Sequence, residues 1–180
     1  GLMTAAQYRA SLNDGRVIYW GGEKITDVAN HPRFQVPIAV ACQDYAYDDP
    51  ELAPVITYRT EDGTTAHRVY QVPRTTEELE MRLELGRHMS IVGGVTGVYM
   101  ALLQVKDRLG AINPRFAHNI ERMYLYARDH DLRAAEVITD AKGDRSKKAH
   151  EQHDPDMYVR IVERRNDGIV VRGAKLHITG

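Results

Sequence analysis

The sequence predicts a mainly α N-terminal helical domain over residues 3–133, followed over residues 134–180 by the first strands of a β domain that is incomplete in this chain. Three observations predict it. Apolar residues recur at helical spacing through most of the chain before Leu132. The period then shortens toward two. A polar loop and turn residues separate the β-prone segments that follow.

Thr4 is a candidate N-cap for a helix over Ala5–Leu12, closed by Asn13-Asp14-Gly15. Val17-Ile18-Tyr19-Trp20 before Gly21-Gly22-Glu23 reads as a short extended segment and turn. Pro37 suits the first turn of a helix reaching about Tyr47, which Asp48-Asp49-Pro50 ends. Thr75 and Glu78 have capping-box spacing and open a helix through Leu79, Leu83 and Leu85. Gly86 and Gly93-Gly94 interrupt the pattern before a helix through Tyr99, Leu102, Leu103 and Val105. Asn113-Pro114 starts another, with Phe116, Ile120, Met123, Tyr124 and Ala127 on one face. Beyond Leu132, Val137-Ile138-Thr139 is β-prone and Lys142–Asp154 is a polar loop. Met157–Glu163, Ile169–Arg172 and Ala174–Thr179 are strand candidates around the turn at Arg164–Gly168. Two or three such strands cannot bury an apolar face alone, so the sheet is expected to be completed by a further segment or a separate polypeptide.

Hydrophobic residues make up 43% and charged residues 27% of the 180, an ordinary globular balance, and the net charge of −1 gives no field that attracts nucleic acid. The longest apolar run, Val36–Cys42, is too short to cross a bilayer, and no secretory pattern opens the chain. Gly1-Leu2 reads as a vector-derived remnant, with Met3 the native start. The single Cys42 excludes an internal disulfide and a cysteine-rich metal site built by this chain alone, and points to a reducing cytoplasm.

Gly93-Gly94-Val95-Thr96-Gly97 lacks the preceding strand that a dinucleotide loop requires, so a close-packed helix break is the better reading. His150, Glu151, His153, Asp154 and Asp156 lie in a Lys-rich loop with nothing to orient them, so no metal site is assigned. Asp140-Ala141-Lys142-Gly143-Asp144-Arg145 is more unusual. A glycine between two cations after a β-prone segment can offer backbone N–H groups and a guanidinium to a phosphate or to the polar edge of a ring.

Taken in order, several segments resemble one family. They are Met3–Tyr8 with Ser11-Leu12, Gly22–Ile25 with Asp27-Val28 and His31-Pro32, and Tyr126–Leu132. Thr139–Arg145, Asp154–Arg160 and Asp167–Lys175 complete the set. The chain resembles the N-terminal region of the 4-hydroxyphenylacetate 3-monooxygenase family, which also contains 4-hydroxybutyryl-CoA dehydratase. The resemblance implies an acyl-CoA-dehydrogenase-like architecture of a helical domain, a flavin-binding β domain and a C-terminal bundle. It implies FAD, reduced by a separate flavin reductase, contacting Val137, Ile138, Lys142, Gly143, Asp144, Arg145 and Thr179. It also implies substrate contacts at Gly94, Val98 and Tyr99 and a catalytic carboxylate at Glu136.

Departures from the family pattern narrow the reading. Gly94 and Val98 stand where the hydroxylases place an Arg and a Tyr, and Glu136 replaces a phenol-binding His, so the substrate is not expected to be 4-hydroxyphenylacetate. Met89 and Gly93 stand where the dehydratase has cysteines, so no iron–sulfur cluster is expected. The function expected is that of the N-terminal part or small subunit of a reduced-FAD-dependent monooxygenase of phenolic or related substrates. The expected partner is a large subunit or C-terminal portion, in a higher oligomer. A flavin-dependent dehydratase or dehydrogenase acting on an acyl-CoA is the alternative, as is a non-catalytic assembly subunit.

Overall fold

The computed structural model describes residues 1–176 and divides the chain into two compact units, Gly1–Ala135 and Glu136–Gly180. It is mainly helical with a few short strands.

The first unit opens with α1 (Ala5–Ser11). The Thr4 hydroxyl accepts from the Gln7 N–H at 3.1 Å while the Gln7 side chain accepts from the Thr4 N–H at 2.8 Å, a reciprocal cap. Strands β1 (Ile18–Trp20) and β2 (Glu23–Ile25) form an antiparallel hairpin, because Gly21 and Gly22 supply the two positive φ values (57° and 88°) that a tight two-residue turn needs. Helix α2 spans Gln35–Cys42 and passes through a 3-10 turn to Tyr45, so the helix expected to reach Tyr47 changes character earlier.

Sequence reasoning assigned nothing to the next region, which contains α3 (Ala53–Ile56) and the antiparallel pair β3 (Thr57–Arg59) and β4 (Thr65–His67). The strands are three residues each, too short to show alternation. The turn between them is held by Asp62, which accepts from the Thr64 N–H at 3.1 Å.

Helix α4 (Thr76–Leu85) is capped by Thr75, as expected. The Glu78 carboxylate, however, accepts from the Arg74 N–H at 2.6 Å instead of closing the box on Thr75. Of its expected apolar face only Leu85 is buried, and Leu79 and Leu83 are exposed. Gly93 and Gly94 lie inside a short helix, α5 (Ile91–Val95), where a break was expected. Helices α6 (Val98–Ile112) and α7 (Pro114–Asp129) then pack against each other; a methyl at Gly110 would meet the Ala117 Cβ at 2.9 Å. Asn113 caps α7, its side chain accepting from the Arg115 N–H. Ile56, Val69, Tyr70, Leu85, Tyr99 and Ala127 form the core.

The second unit is built of short strands. The pair β6 (Arg160–Arg164) and β7 (Ile169–Arg172) is antiparallel with an irregularity between Ile161 and Glu163. The pair β5 (Thr139–Asp140) and β8 (Lys175–Leu176) aligns Thr139 with Leu176. Val137 and Ile138 precede β5 and are not part of it. Met157–Val159 likewise precede β6: the chain bends at Met157 and Tyr158, and Asp156 accepts from the Arg160 side chain at 2.8 Å.

Candidate functional site

The residues expected to form the site fall in both units. In the first, α5 and the start of α6 carry Gly94, Val98 and Tyr99. Gly94 is exposed, and a Cβ built on it meets nothing within 4 Å. Val98 is half-buried at the first position of α6. Tyr99 is buried in the core, its ring tilted against Tyr70 with centroids 5.8 Å apart, and burial raises its phenol pKa. None of the three lines a described cleft. The neighbouring Val92 does, in a cleft of about 460 Å³ that also takes in Tyr8, Tyr45, Arg133 and Ala135.

The segment running from α7 toward Glu136 is anchored by groups that sequence reasoning did not single out. Helix α7 ends with Asp131 at φ 51°, the left-handed conformation usually given to glycine. The Leu132 N–H returns to Ala127 O at 2.9 Å and the Asp131 N–H to Arg128 O at 3.2 Å. An aspartate holds this position because its carboxylate is used. It accepts from Tyr47 OH at 2.8 Å, from the Met3 N–H at 3.0 Å and from Arg133 Nη1 at 2.8 Å. The Arg133 side chain is itself buried. Its Nη2 donates to Asp44 O at 3.0 Å, its guanidinium lies 4.3 Å from the Tyr45 ring centre, and it stays protonated because Asp131 and the two tyrosines outweigh the cost of burial. Burial drives the Tyr45 and Tyr47 phenols far above their ordinary range. Asp44 caps the other side, accepting from the Ser90 N–H at 2.8 Å and from Ser90 Oγ at 2.5 Å at the start of α5. The buried pair of Asp44 and Arg133 joins residues far apart in the chain, and Asp131 sits in the charged run Arg128-Asp129-His130-Asp131, so nothing local marks it as buried.

The second unit carries Glu136, Val137 and Ile138, all exposed, and the loop Lys142–Arg145. The loop is ordered by Gln152. Its Oε1 accepts from the Asp144 N–H at 2.9 Å and its Nε2 donates to Asp144 O at 2.8 Å and Lys147 O at 3.3 Å. Gly143 allows the close approach: a Cβ there would stand 2.4 Å from Met157 Sδ, 2.6 Å from Gln152 Oε1 and 2.7 Å from Tyr158 OH. The Asp144 carboxylate accepts from Ser146 Oγ at 2.6 Å, which together with the Ser146 N–H lowers its pKa. Among the described residues, Lys142 and Arg145 are exposed and make no ion pair. Lys175 ties β8 to the segment before the loop, donating to Ile138 O at 3.0 Å and Asp140 Oδ1 at 2.6 Å. Thr179 lies outside the described residues.

Residues 4–180 match the family model described as 4-hydroxyphenylacetate 3-hydroxylase N terminal. The chain is 32% identical over 193 residues to the 4-hydroxybutyryl-CoA dehydratase/vinylacetyl-CoA-Δ-isomerase of Clostridium aminobutyricum, covering 99% of this chain and 39% of that protein. It is 32% identical over 189 residues to the oxygenase component of 4-hydroxyphenylacetate 3-monooxygenase from Geobacillus sp. (strain PA-9), covering 98% of this chain and 38% of that one. A crystal structure of such an oxygenase component, complexed with FAD and 4-hydroxyphenylacetate, superimposes with a TM-score of 0.79 at 30% identity, over 97% of this chain and 38% of that chain. The chain therefore spans well under half the length of the relatives it matches. It belongs to the 4-hydroxyphenylacetate 3-hydroxylase N-terminal family.

Proposed function

We propose that the chain supplies the helical domain and the opening strands of the flavin-binding β domain of a reduced-FAD-dependent monooxygenase acting on a phenolic or related substrate. The observation that carries this reading is the likeness, along nearly the whole chain, to an oxygenase component that holds FAD and a phenol. The remainder of the relatives' length, on the same or another polypeptide, completes the site, in an acyl-CoA-dehydrogenase-like architecture and a higher oligomer, and a flavin reductase supplies the reduced cofactor.

The loop fits an anionic cofactor. Gln152 and Gly143 hold its backbone in one shape, and Lys142 and Arg145 are exposed cations beside it. In this reading they would hold phosphate or the polar edge of the ring, with Val137 and Ile138 beside the flavin. Bound reduced flavin supplies the electrons that activate dioxygen for insertion into the ring. Glu136 accepts the phenol proton, which makes the ring electron-rich, and Val98 contributes to the substrate wall, with Tyr99 packed behind it in the core. Gly94 leaves open space where the relatives that bind 4-hydroxyphenylacetate are expected to place a gripping cation, so the substrate is one without a carboxylate at that end.

The dehydratase reading is the second, supported by the Clostridium relative. The iron–sulfur cluster that the resemblance implies for that reading does not fit this chain. Position 89 is Met, and at Gly93 any Cβ would stand 2.7 Å from Asp44 Oδ2, so a thiolate there would have to displace the Asp44–Ser90 cap. Cys42 is elsewhere, its thiol directed at Ala5 O at 3.7 Å.

The test is titration of FAD and reduced FAD into the chain alone and into the chain joined to the remainder of the enzyme. Binding and oxygen-dependent turnover of a phenol are expected only in the second. Tight binding by the chain alone, or turnover of an acyl-CoA without oxygen, would overturn the proposal.

A further inference from the structure

Thr96 occupies an unusual place. It lies in the turn between α5 and α6, between Gly94 and Val98, and is 1% exposed. Its hydroxyl donates to Val92 O at 2.8 Å, one turn back in α5, and accepts from the Ala134 N–H at 3.1 Å. Ala134 is 38 residues away in sequence, outside any helix or strand, and two residues before Glu136. One hydroxyl thus bonds both the turn that carries the proposed substrate wall and the segment that delivers the proposed base. We propose that Thr96 is a positioning residue: a latch that fixes the lead-in to Glu136 against the Gly94–Val98 turn. This deepens the monooxygenase reading and rests on it.

The chemistry of the latch follows from the atoms present. Val92 O already accepts from the Thr96 N–H at 3.1 Å, so the donated hydroxyl hydrogen adds a second bond to that oxygen and leaves the Thr96 Oγ1 lone pairs facing Ala134. The Ala134 N–H has no other partner among the described residues, and a half-buried donor left unpaired is destabilising. The residues just before Ala134 are independently fixed: Leu132 O accepts from Tyr70 OH and from Arg133 Nη1, and Arg133 lies over Tyr45. The latch is therefore the last anchor before Glu136. Serine keeps both hydrogen bonds, whereas valine matches the shape of threonine and keeps neither.

The experiment compares Thr96→Val and Thr96→Ser in the 180-residue chain by amide hydrogen exchange, and in the complete flavoenzyme by steady-state kinetics with a phenol. In the parent chain the Ala134 amide is expected to be protected despite lying outside regular structure, and this holds as a test even should Thr96→Val fail to fold. Exchange at Ala134 is expected to quicken about tenfold in Thr96→Val and to stay at the parent rate in Thr96→Ser. In the complete enzyme Thr96→Val should lower kcat several-fold more than it raises KM, since the segment released carries the proposed base, with Thr96→Ser restoring both. An unprotected Ala134 in the parent, or unchanged exchange in Thr96→Val, overturns the latch. Altered exchange with unaltered kinetics overturns its positioning role. Altered exchange in an enzyme whose parent turns over no phenol leaves the latch standing and overturns the monooxygenase reading instead.

Discussion

Gly93 and Gly94 are neighbours in one short helix, and the structure assigns opposite signs to the same substitution at the two. A methyl at Gly94 meets open space, so Gly94→Ala removes unfolded-state freedom without a clash and should stabilise by about 0.5–1 kcal/mol. A methyl at Gly93 would stand 2.7 and 2.8 Å from the two Asp44 oxygens and 2.9 Å from Cγ. That carboxylate cannot retreat freely, since it accepts from the Ser90 N–H at 2.8 Å and from Ser90 Oγ at 2.5 Å. Hydrogen bonds to a charged group contribute about 1.5–3 kcal/mol each. Giving up one or both, less a helix-propensity gain of about 0.5–1 kcal/mol, puts Gly93→Ala at a loss of about 0.5–5 kcal/mol. Urea unfolding of the three proteins, followed by far-UV circular dichroism with slopes compared, measures both. A Gly93→Ala midpoint at or above that of the parent would refute the account of Asp44 as a fixed cap. A Gly94→Ala loss of more than 1 kcal/mol would refute the open space.

Replacing Arg133 by Met leaves Asp131 and Asp44 buried without their cation and should cost about 3–5 kcal/mol of stability, part of which Asp131→Asn in the same chain should restore; urea midpoints read both. Burial, with Arg133, Arg68 and Arg82 nearby, holds the His67 pKa well below its ordinary value, so the unfolded state takes up a proton that the folded state refuses. Stability should accordingly be complete above about pH 6.5 and fall as the pH drops below it, by up to about 1.4 kcal/mol per unit, and His67→Gln should flatten that slope in midpoints measured from pH 7.5 to 5. Gly173 has φ 127° and a Cβ there would meet Tyr158 O at 2.3 Å, so Gly173→Ala should destabilise the second unit by 2 kcal/mol or more, about 2 being the lower bound, and expose it to limited proteolysis while the first unit stays protected.

The elements legible in the sequence are those announced by a local device. The Thr4, Thr75 and Asn113 caps, the Gly21-Gly22 turn and the Arg164–Gly168 turn all stand where residue type alone puts them. What escaped has a nonlocal cause. Strands β3 and β4 are too short for a period to emerge. Leu79 and Leu83 have helical spacing yet are exposed, since spacing states which residues share a face and not what covers it. The anchors at Asp44, Asp131 and Arg133 join positions far apart in the chain.

In the second unit, the residues that carry the resemblance are largely one another's partners. Asp156 accepts from Arg160 at 2.8 Å and pairs with Arg172 at 2.7 Å. Gly173 passes close to the Tyr158 backbone, Gly143 packs against Met157 and Tyr158, and Lys175 reaches Asp140. Residues satisfied by each other specify a shape, and they would be required in this order whatever the protein binds. Lys142 and Arg145 stand apart from this set: they sit within the same motif, on a loop whose backbone is held by Gln152, and among the described residues they pair with nothing. Exposed cations without an internal partner are ordinary solvated surface by themselves; the likeness along the chain to an oxygenase component that holds FAD is what makes these two, on an ordered loop, the candidates to test for an anionic cofactor.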